Sequence, residues 1–209
     1  MPRPPAYPRE ESRDQHRNPK NIRSYLRRLL APERDAWQQP DRVVKALGLK
    51  KGSTVAEIGA GPGYFTLRLA RVVGKSGSVL AVEVEPKLIV VLRDRLREQR
   101  VSQVVPVLGF PDDPLLPLAS CDAIVAVNVF HHVADLPGYL KRLARSLKPG
   151  GFIADIDFQK VERPVGPPVD HVLARDETVA LARRAGLRLS GEHDFLPYQY
   201  FLLLAPRRS

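Results

Sequence analysis

The chain has 209 residues, 44% of them hydrophobic, which is enough for one sizeable core and short for two independent domains. Its 33 Lys and Arg against 23 Asp and Glu leave a net charge of +10, a balance that suits nucleic acid, an anionic surface or an acidic substrate, and equally a solvated basic exterior. The single cysteine, Cys121, excludes an internal disulfide and any cysteine-cluster metal site, and no apolar run is long enough to read as a membrane span.

Residues 1–20 carry five prolines and many charges with little to bury, so a flexible basic tail is expected there. The opening Met1-Pro2-Arg3-Pro4-Pro5 lacks the apolar segment of a signal peptide, and the expectation is a soluble, cytoplasmic protein. Ile22, Tyr25, Leu26, Leu29 and Leu30 then recur at helical spacing with Arg23, Arg27 and Arg28 on the remaining surface, which predicts a short amphipathic helix. A basic helix of this kind can lie on a membrane, but packing over its own domain is commoner. Helix continues over 33–47, interrupted at Pro40 and stopped at Gly48, so residues 21–48 read as a helical cover for a domain spanning 49–209.

From there the hydrophobic period alternates. Strands are predicted over 53–58, 79–84, 104–108, 122–129 and 152–156, with helices over 65–73, 86–96 and 136–147 and a proline-rich loop over 109–120. Lys148-Pro149-Gly150-Gly151 is expected to turn the chain into the fifth strand. Such alternation with short links implies a mostly parallel sheet with helices on both faces, a doubly wound α/β core. After a loop over 158–174 and a helix over 176–185, two closely linked strand-like runs at 187–194 and 198–205 cannot be parallel neighbours, so the seven-stranded sheet should end in an antiparallel hairpin.

The stretch that organises the chemistry is Glu57-Ile58-Gly59-Ala60-Gly61-Pro62-Gly63-Tyr64, a glycine-rich turn from strand to helix. Such a turn lets backbone N–H groups approach a ligand closely. A dinucleotide fingerprint would need a third glycine where Tyr64 stands, and counting from Gly61 fails as well. No Gly-Lys-Ser/Thr follows, which excludes a phosphate-cradling loop of that type. Glu57 would sit badly beside a pyrophosphate and suits a ligand that bears an ammonium group. Further on, a carboxylate at the tip of the second strand can accept hydrogen bonds from both hydroxyls of a ribose. Glu83, followed by Val84, fits that place; Glu85 points to the same side but lies close to Pro86 and the helix start.

These residues resemble the class I S-adenosylmethionine-dependent methyltransferases, in particular the type 11, ubiquinone-methyltransferase-like group. Glu57-x-Gly59-x-Gly61-x-Gly63 looks like their first motif, Glu83 like their ribose-binding acid, and Leu147-Lys148-Pro149-Gly150-Gly151 like the turn before their fifth strand; the resemblance covers residues 50–205. It implies a Rossmann-like sheet, the N-terminal helices around Trp37, Gln38 and Gln39 as a lid, and S-adenosylmethionine as cofactor, leaving as S-adenosylhomocysteine. Glu57 would hold the cofactor's amino group, directly or through water, and the backbone at Gly59, Gly61 and Gly63 would pack against its methionine and ribose, with Tyr64 and Val84 in the same site. The family often has Gly-Asp after the third strand, the Asp receiving the adenine amino group; here the pair is Gly109-Phe110. Asp112 or Asp113 must then serve, with Phe110 or Pro111 lining the adenine face.

At the end of the fourth strand Asn128 occupies the position from which family members reach the cofactor and the reacting methyl group, and His131 and His132 follow. Methyl transfer is an in-line displacement, so alignment and exclusion of water are the protein's main tasks. A neutral oxygen or nitrogen nucleophile must lose its proton, and either histidine can accept it; the bland alternative has one capping the next helix and the other packed beneath it. A metal site is not expected, because His16, His171 and His193 lie in unrelated segments. The expected activity is methyl transfer to an oxygen, nitrogen or sulfur atom of a small molecule. A nucleic acid or protein acceptor, favoured by the basic tail, is the second reading, although Asn128 lacks the Pro-Pro-Tyr/Phe continuation that many base-amino methylating enzymes use. A nonenzymatic cofactor-binding module is the third.

Overall fold

A computed structural model describes residues 21–207, so the expected tail over 1–20 lies outside the described residues. Asn21 starts the first helix, α1 (Ile22–Leu29), by accepting a hydrogen bond from the Ser24 N–H at 3.1 Å, which satisfies one of the donors every helix start leaves orphaned. Two short helices follow, α2 (Arg34–Gln38) and α3 (Pro40–Ala46). The predicted break at Pro40 is present: Gln39 takes φ +43°, and Pro40 opens α3, where its missing N–H costs nothing.

The core then alternates: β1 (Thr54–Ile58), α4 (Thr66–Val73), β2 (Ser78–Glu83), α5 (Pro86–Glu98), β3 (Val104–Leu108), β4 (Cys121–Val127), α6 (Leu136–Ser146) and β5 (Leu147–Phe158). It closes with α7 (Arg175–Arg184), β6 (Leu187–His193) and β7 (Gln199–Pro206). The seven strands lie in the order β3-β2-β1-β4-β5-β7-β6, parallel except for β7, which runs antiparallel to both β5 and β6. The doubly wound sheet and its antiparallel end are therefore as the alternation implied.

Side chains alternate across the sheet and build two cores. Val55, Val79, Ala81, Val125 and Ile156 pack against Leu69, Val73, Leu92 and Leu96 of α4 and α5, together with Val43 and Val44 of α3. On the other face Ala56, Ile124, Ala126 and Ile153 pack against Leu140 and Leu143 of α6 and Val179 and Ala182 of α7. Strand order reverses between β1 and β4, and in an open parallel sheet the crevice beyond the carboxyl ends at such a reversal is where a ligand sits.

The end of β4 and the start of β5 differ from expectation, each for a local reason. β4 stops at Val127, not at 129, because Asn128 turns into the left-handed region at φ +58°, which asparagine tolerates better than most side chains. Phe130–His132 then forms a single 3-10 turn. The glycine turn at 148–151 is absorbed into β5 as an irregularity of the ladder, since Cys121 pairs with Leu147 while Ala123 already pairs with Phe152.

Candidate active site

β1 delivers Glu57 to the reversal point and buries it, with the Thr66 hydroxyl at the head of α4 donating to Glu57 Oε2. Burial pushes the Glu57 carboxyl up to about 8; the Thr66 bond opposes that rise, the Glu83 charge adds to it and the Arg34 charge lowers it. Such an acid is poised to lose its proton to a cationic partner. The turn behind it needs its glycines. Gly59 and Gly63 take φ +70° and +89°, and a Cβ on them would stand 2.5 Å from Val129 Cγ2 and 2.7 Å from Leu92 Cδ1. The first of these contacts also shows that the β1 turn and the end of β4 meet. Gly61, at φ +54°, faces Leu29 of α1.

Glu83 ends β2 within the same turn. Its Oε2 accepts the Gly61 N–H at 2.8 Å, and Oε1 accepts those of Val84 at 2.8 Å and Glu85 at 3.0 Å. Burial raises its pKa and these three backbone donors pull it back down. Glu85 is separated from it by function: it is the N-cap of α5, accepting the Lys87 N–H at 3.0 Å. That leaves Glu83 as the acid bonded to the glycine turn.

Tyr64 is the hub between the turn and the N-terminal helices. The guanidinium groups of Arg34, at 4.1 Å, and Arg68, at 4.6 Å, both lie over its ring, and its hydroxyl donates to Asp35, which Arg68 also contacts. From the same helix as Arg34, Trp37 reaches across to Phe158 at the end of β5, ring centroids 5.5 Å apart. α2 therefore spans the carboxyl ends of β1, β4 and β5. Gln39 extends the attachment by donating to the Phe195 carbonyl at 3.2 Å, and Arg42 stacks over the Phe195 ring at 4.2 Å. Trp37 was expected only as part of the helical lid, and none of Arg34, Asp35 or Arg68 stood out in the sequence as a site residue.

At the end of β4, Asn128 is fixed from both sides: its N–H donates to the Ile156 carbonyl at 2.8 Å, and its Oδ1 accepts from Gln199 Nε2 at 2.7 Å. His131 and His132 are distinct. His131 is buried, with Nδ1 placed 2.8 and 2.7 Å from the two oxygens of Asp157 on β5, so Nδ1 carries the proton donated to that carboxylate and Nε2 is the basic nitrogen of the neutral ring. His132 is half-buried, its ring 3.9 Å from that of His131. Asp157 is itself fixed by the Phe158 N–H at 2.8 Å. Next to it on β5 lies Asp155, wholly buried, whose pKa burial and the Asp157 charge hold well above the ordinary carboxylate range.

The acids of the loop after β3 are less enclosed. Asp113 closes its own loop, Oδ1 accepting the Leu115 N–H at 2.9 Å, and faces Arg142 at 3.9 Å; Asp112 is exposed, as are Phe110 and Pro111. The structure thus brings Glu57, Gly59, Gly61, Gly63 and Tyr64 of the glycine turn together with Glu83 and Val84 at the end of β2. It places Asn128, His131 and His132 across from that turn, and Asp112 and Asp113 in an outer loop.

A family model described as a methyltransferase domain matches residues 56–153. Among curated relatives, the demethylmenaquinone methyltransferase of Tropheryma whipplei is 32% identical over 123 residues, 59% of this chain and 49% of that protein. The ubiquinone/menaquinone biosynthesis C-methyltransferase of Chromobacterium violaceum is 31% identical over 130 residues, 59% of this chain and 50% of its own length. The chain spans about half the length of the curated relatives it matches. A solved structure of a SAM dependent methyltransferase from Aquifex aeolicus is 28% identical with a TM-score of 0.83, the match covering 87% of this chain and 96% of that one.

Proposed function

We propose that the chain is a class I S-adenosylmethionine-dependent methyltransferase and that it moves the methyl group of S-adenosylmethionine to a nucleophile on a small molecule. The observation that carries the cofactor site is the pair of buried carboxylates, Glu57 and Glu83, at the tips of neighbouring strands, with the Gly61 N–H of the turn between them bonded to Glu83 at 2.8 Å.

The residues fit the group. A carboxylate has about four acceptor positions, and Glu83 uses three of them on backbone N–H groups, which orient it and leave capacity for a ribose hydroxyl. Glu57 holds the ammonium group of the methionine end, the ligand's positive charge offsetting the burial that otherwise keeps this acid protonated. Asp112 or Asp113 faces the adenine. When bound, the cofactor supplies a methyl carbon activated by a sulfonium, so the protein needs no covalent intermediate.

The remaining work is alignment and one proton. Trp37 on Phe158 shuts water out from above the tips of β4 and β5. Asn128, clamped by Gln199, sets the floor beneath the reacting atoms. His132, the more open of the two histidines, takes the acceptor's proton, while His131, locked onto Asp157, positions it. The relatives named as a demethylmenaquinone methyltransferase and a ubiquinone/menaquinone biosynthesis C-methyltransferase support a small ring acceptor, and the second extends the candidate atoms from oxygen, nitrogen and sulfur to a ring carbon made nucleophilic by an ionised neighbouring hydroxyl. Incubation with methyl-labelled cofactor and a panel of hydroquinones, phenols, amines, thiols, RNA and protein tests this reading. Label in a small molecule supports it, and label only in RNA or protein overturns it.

A further inference from the structure

A cavity of about 260 Å³ opens between α4, α5 and the link from α1 to α2. None of Glu57, Glu83 and Asn128 lines it, so it is separate from the cleft described above. Its lining brings together arginines from two helices: Arg68 and Arg71, three residues apart on α4, and Arg95 on α5, with Gln99 one turn further along. Leu30 and Pro32 come from the link, and Gly63 and Tyr64 from the glycine turn. A space of this volume suits a small ligand.

The three cations are not equally satisfied. Arg68 is taken up within the protein, pairing with Asp35 and Asp41 at 3.1 Å each and donating to the Tyr64 carbonyl at 2.9 Å. Asp35, the one acid in the lining, is in turn held by Arg68 and by the Tyr64 hydroxyl. Arg95 has only a neutral acceptor, the Pro62 carbonyl, and Arg71 has neither a hydrogen bond nor an ion pair among the described residues. Burial pulls the half-buried Arg95 guanidinium down from its ordinary range, and the charge of Glu98 on the same helix opposes this without forming an ion pair. A partly desolvated cation without an anion is a cost that a bound anion would offset. Guanidinium forks match the oxygens of a phosphoryl group, and two of them from different helices suit an anion that carries several such oxygens.

We propose that Arg71, Arg95 and Gln99 form a binding site for a small phosphate-bearing anion, a diphosphate or a phosphate ester, in this cavity between α4 and α5. The site shares only Gly63 and Tyr64 with the residues assigned to the methyl donor, so anion and nucleoside can be held at once. It does not depend on the S-adenosylmethionine reading. The small volume favours a compact anion over a nucleic-acid strand or a membrane surface, either of which needs cations spread along a face.

The full chain is titrated calorimetrically with sodium diphosphate and with inorganic phosphate, as the unchanged protein and as Arg71→Ala, Arg95→Gln and Arg184→Ala. Arg184 is an exposed residue of α7, which packs on the opposite face of the sheet, and serves as the control. Thermal melts check that each variant folds; Arg71 is exposed, so its loss leaves the core intact. Saturable binding of diphosphate is expected, weakened roughly 10- to 100-fold in Arg71→Ala and in Arg95→Gln by the loss of hydrogen bonds to a charged acceptor, and unchanged in Arg184→Ala. S-adenosylhomocysteine should neither displace the diphosphate nor lose affinity in Arg71→Ala. No saturable binding of either anion, even where an RNA oligomer or anionic vesicles bind, overturns the site. So do equal losses in all three variants, unchanged affinity in Arg71→Ala or Arg95→Gln, and displacement by S-adenosylhomocysteine, which would put the anion in the cofactor cleft. If the protein binds diphosphate as expected but no S-adenosylhomocysteine, the methyl-donor reading falls and the anion site stands.

Discussion

Replacing Glu57 by Gln should make the free protein more stable and a worse binder at the same time. The buried carboxyl titrates at about 8 in the folded chain against an ordinary value of 4.5. The folded value is the higher one, so the contribution is whole below pH 4.5 and is lost as pH rises: between 4.5 and about 8 the unfolded chain ionises while the folded chain keeps its proton. Each pH unit in that window costs about 1.4 kcal/mol, which amounts to roughly 3 kcal/mol at pH 7 and under 1 kcal/mol at pH 5. Glutamine keeps an acceptor for the Thr66 hydroxyl and carries no such penalty. Urea unfolding at pH 5 and pH 7 should therefore show a gain for Glu57→Gln that grows between the two. Calorimetry should show S-adenosylhomocysteine binding weakened by about 1.5–3 kcal/mol, the worth of a hydrogen bond to a charged group. An equal gain at both pH values would refute the burial argument, and unchanged affinity would refute the role given to the acid.

Because Glu57 must ionise to meet an ammonium group, cofactor binding near pH 7 should release a proton, visible as a dependence of the binding heat on the buffer's ionisation enthalpy. Glu83→Ala should weaken S-adenosylhomocysteine by about 1.5–3 kcal/mol and speed hydrogen exchange at Gly61, whose N–H it accepts. Gly63→Ala forces a side chain onto φ +89° and against Leu92, and should lower the melting temperature through a loss of about 1–3 kcal/mol. His132→Ala should lower kcat with the cofactor affinity kept, whereas His131→Ala, which leaves the buried Asp157 carboxylate without its imidazole, should cost stability by about 3 kcal/mol in chemical denaturation.

The fold was legible because its signals are local. Strand and helix periods alternate, Pro86 and Pro40 sit where a helix begins, and the two runs after Gly186 are too close to be anything but a hairpin. The two acids were legible through spacing from the glycines, and the choice between Glu83 and Glu85 needed only the helix start, where Glu85 turned out to be the cap. What stayed hidden depends on contacts between distant parts of the chain. Tyr64 reads as one more residue of the glycine turn, while its partners Arg34 and Asp35 come from a five-residue helix too short to show a period. Nothing in the sequence near His131 announces Asp157, which reaches it only because β5 lies beside β4.

The central claim is that the turn from Glu57 to Tyr64 is built for S-adenosylmethionine. Calorimetric titration of the folded protein with S-adenosylmethionine and S-adenosylhomocysteine tests it most directly. Saturable binding of both, weakened by Glu57→Gln and by Glu83→Ala, is the result the account predicts; a folded protein that binds neither would contradict it.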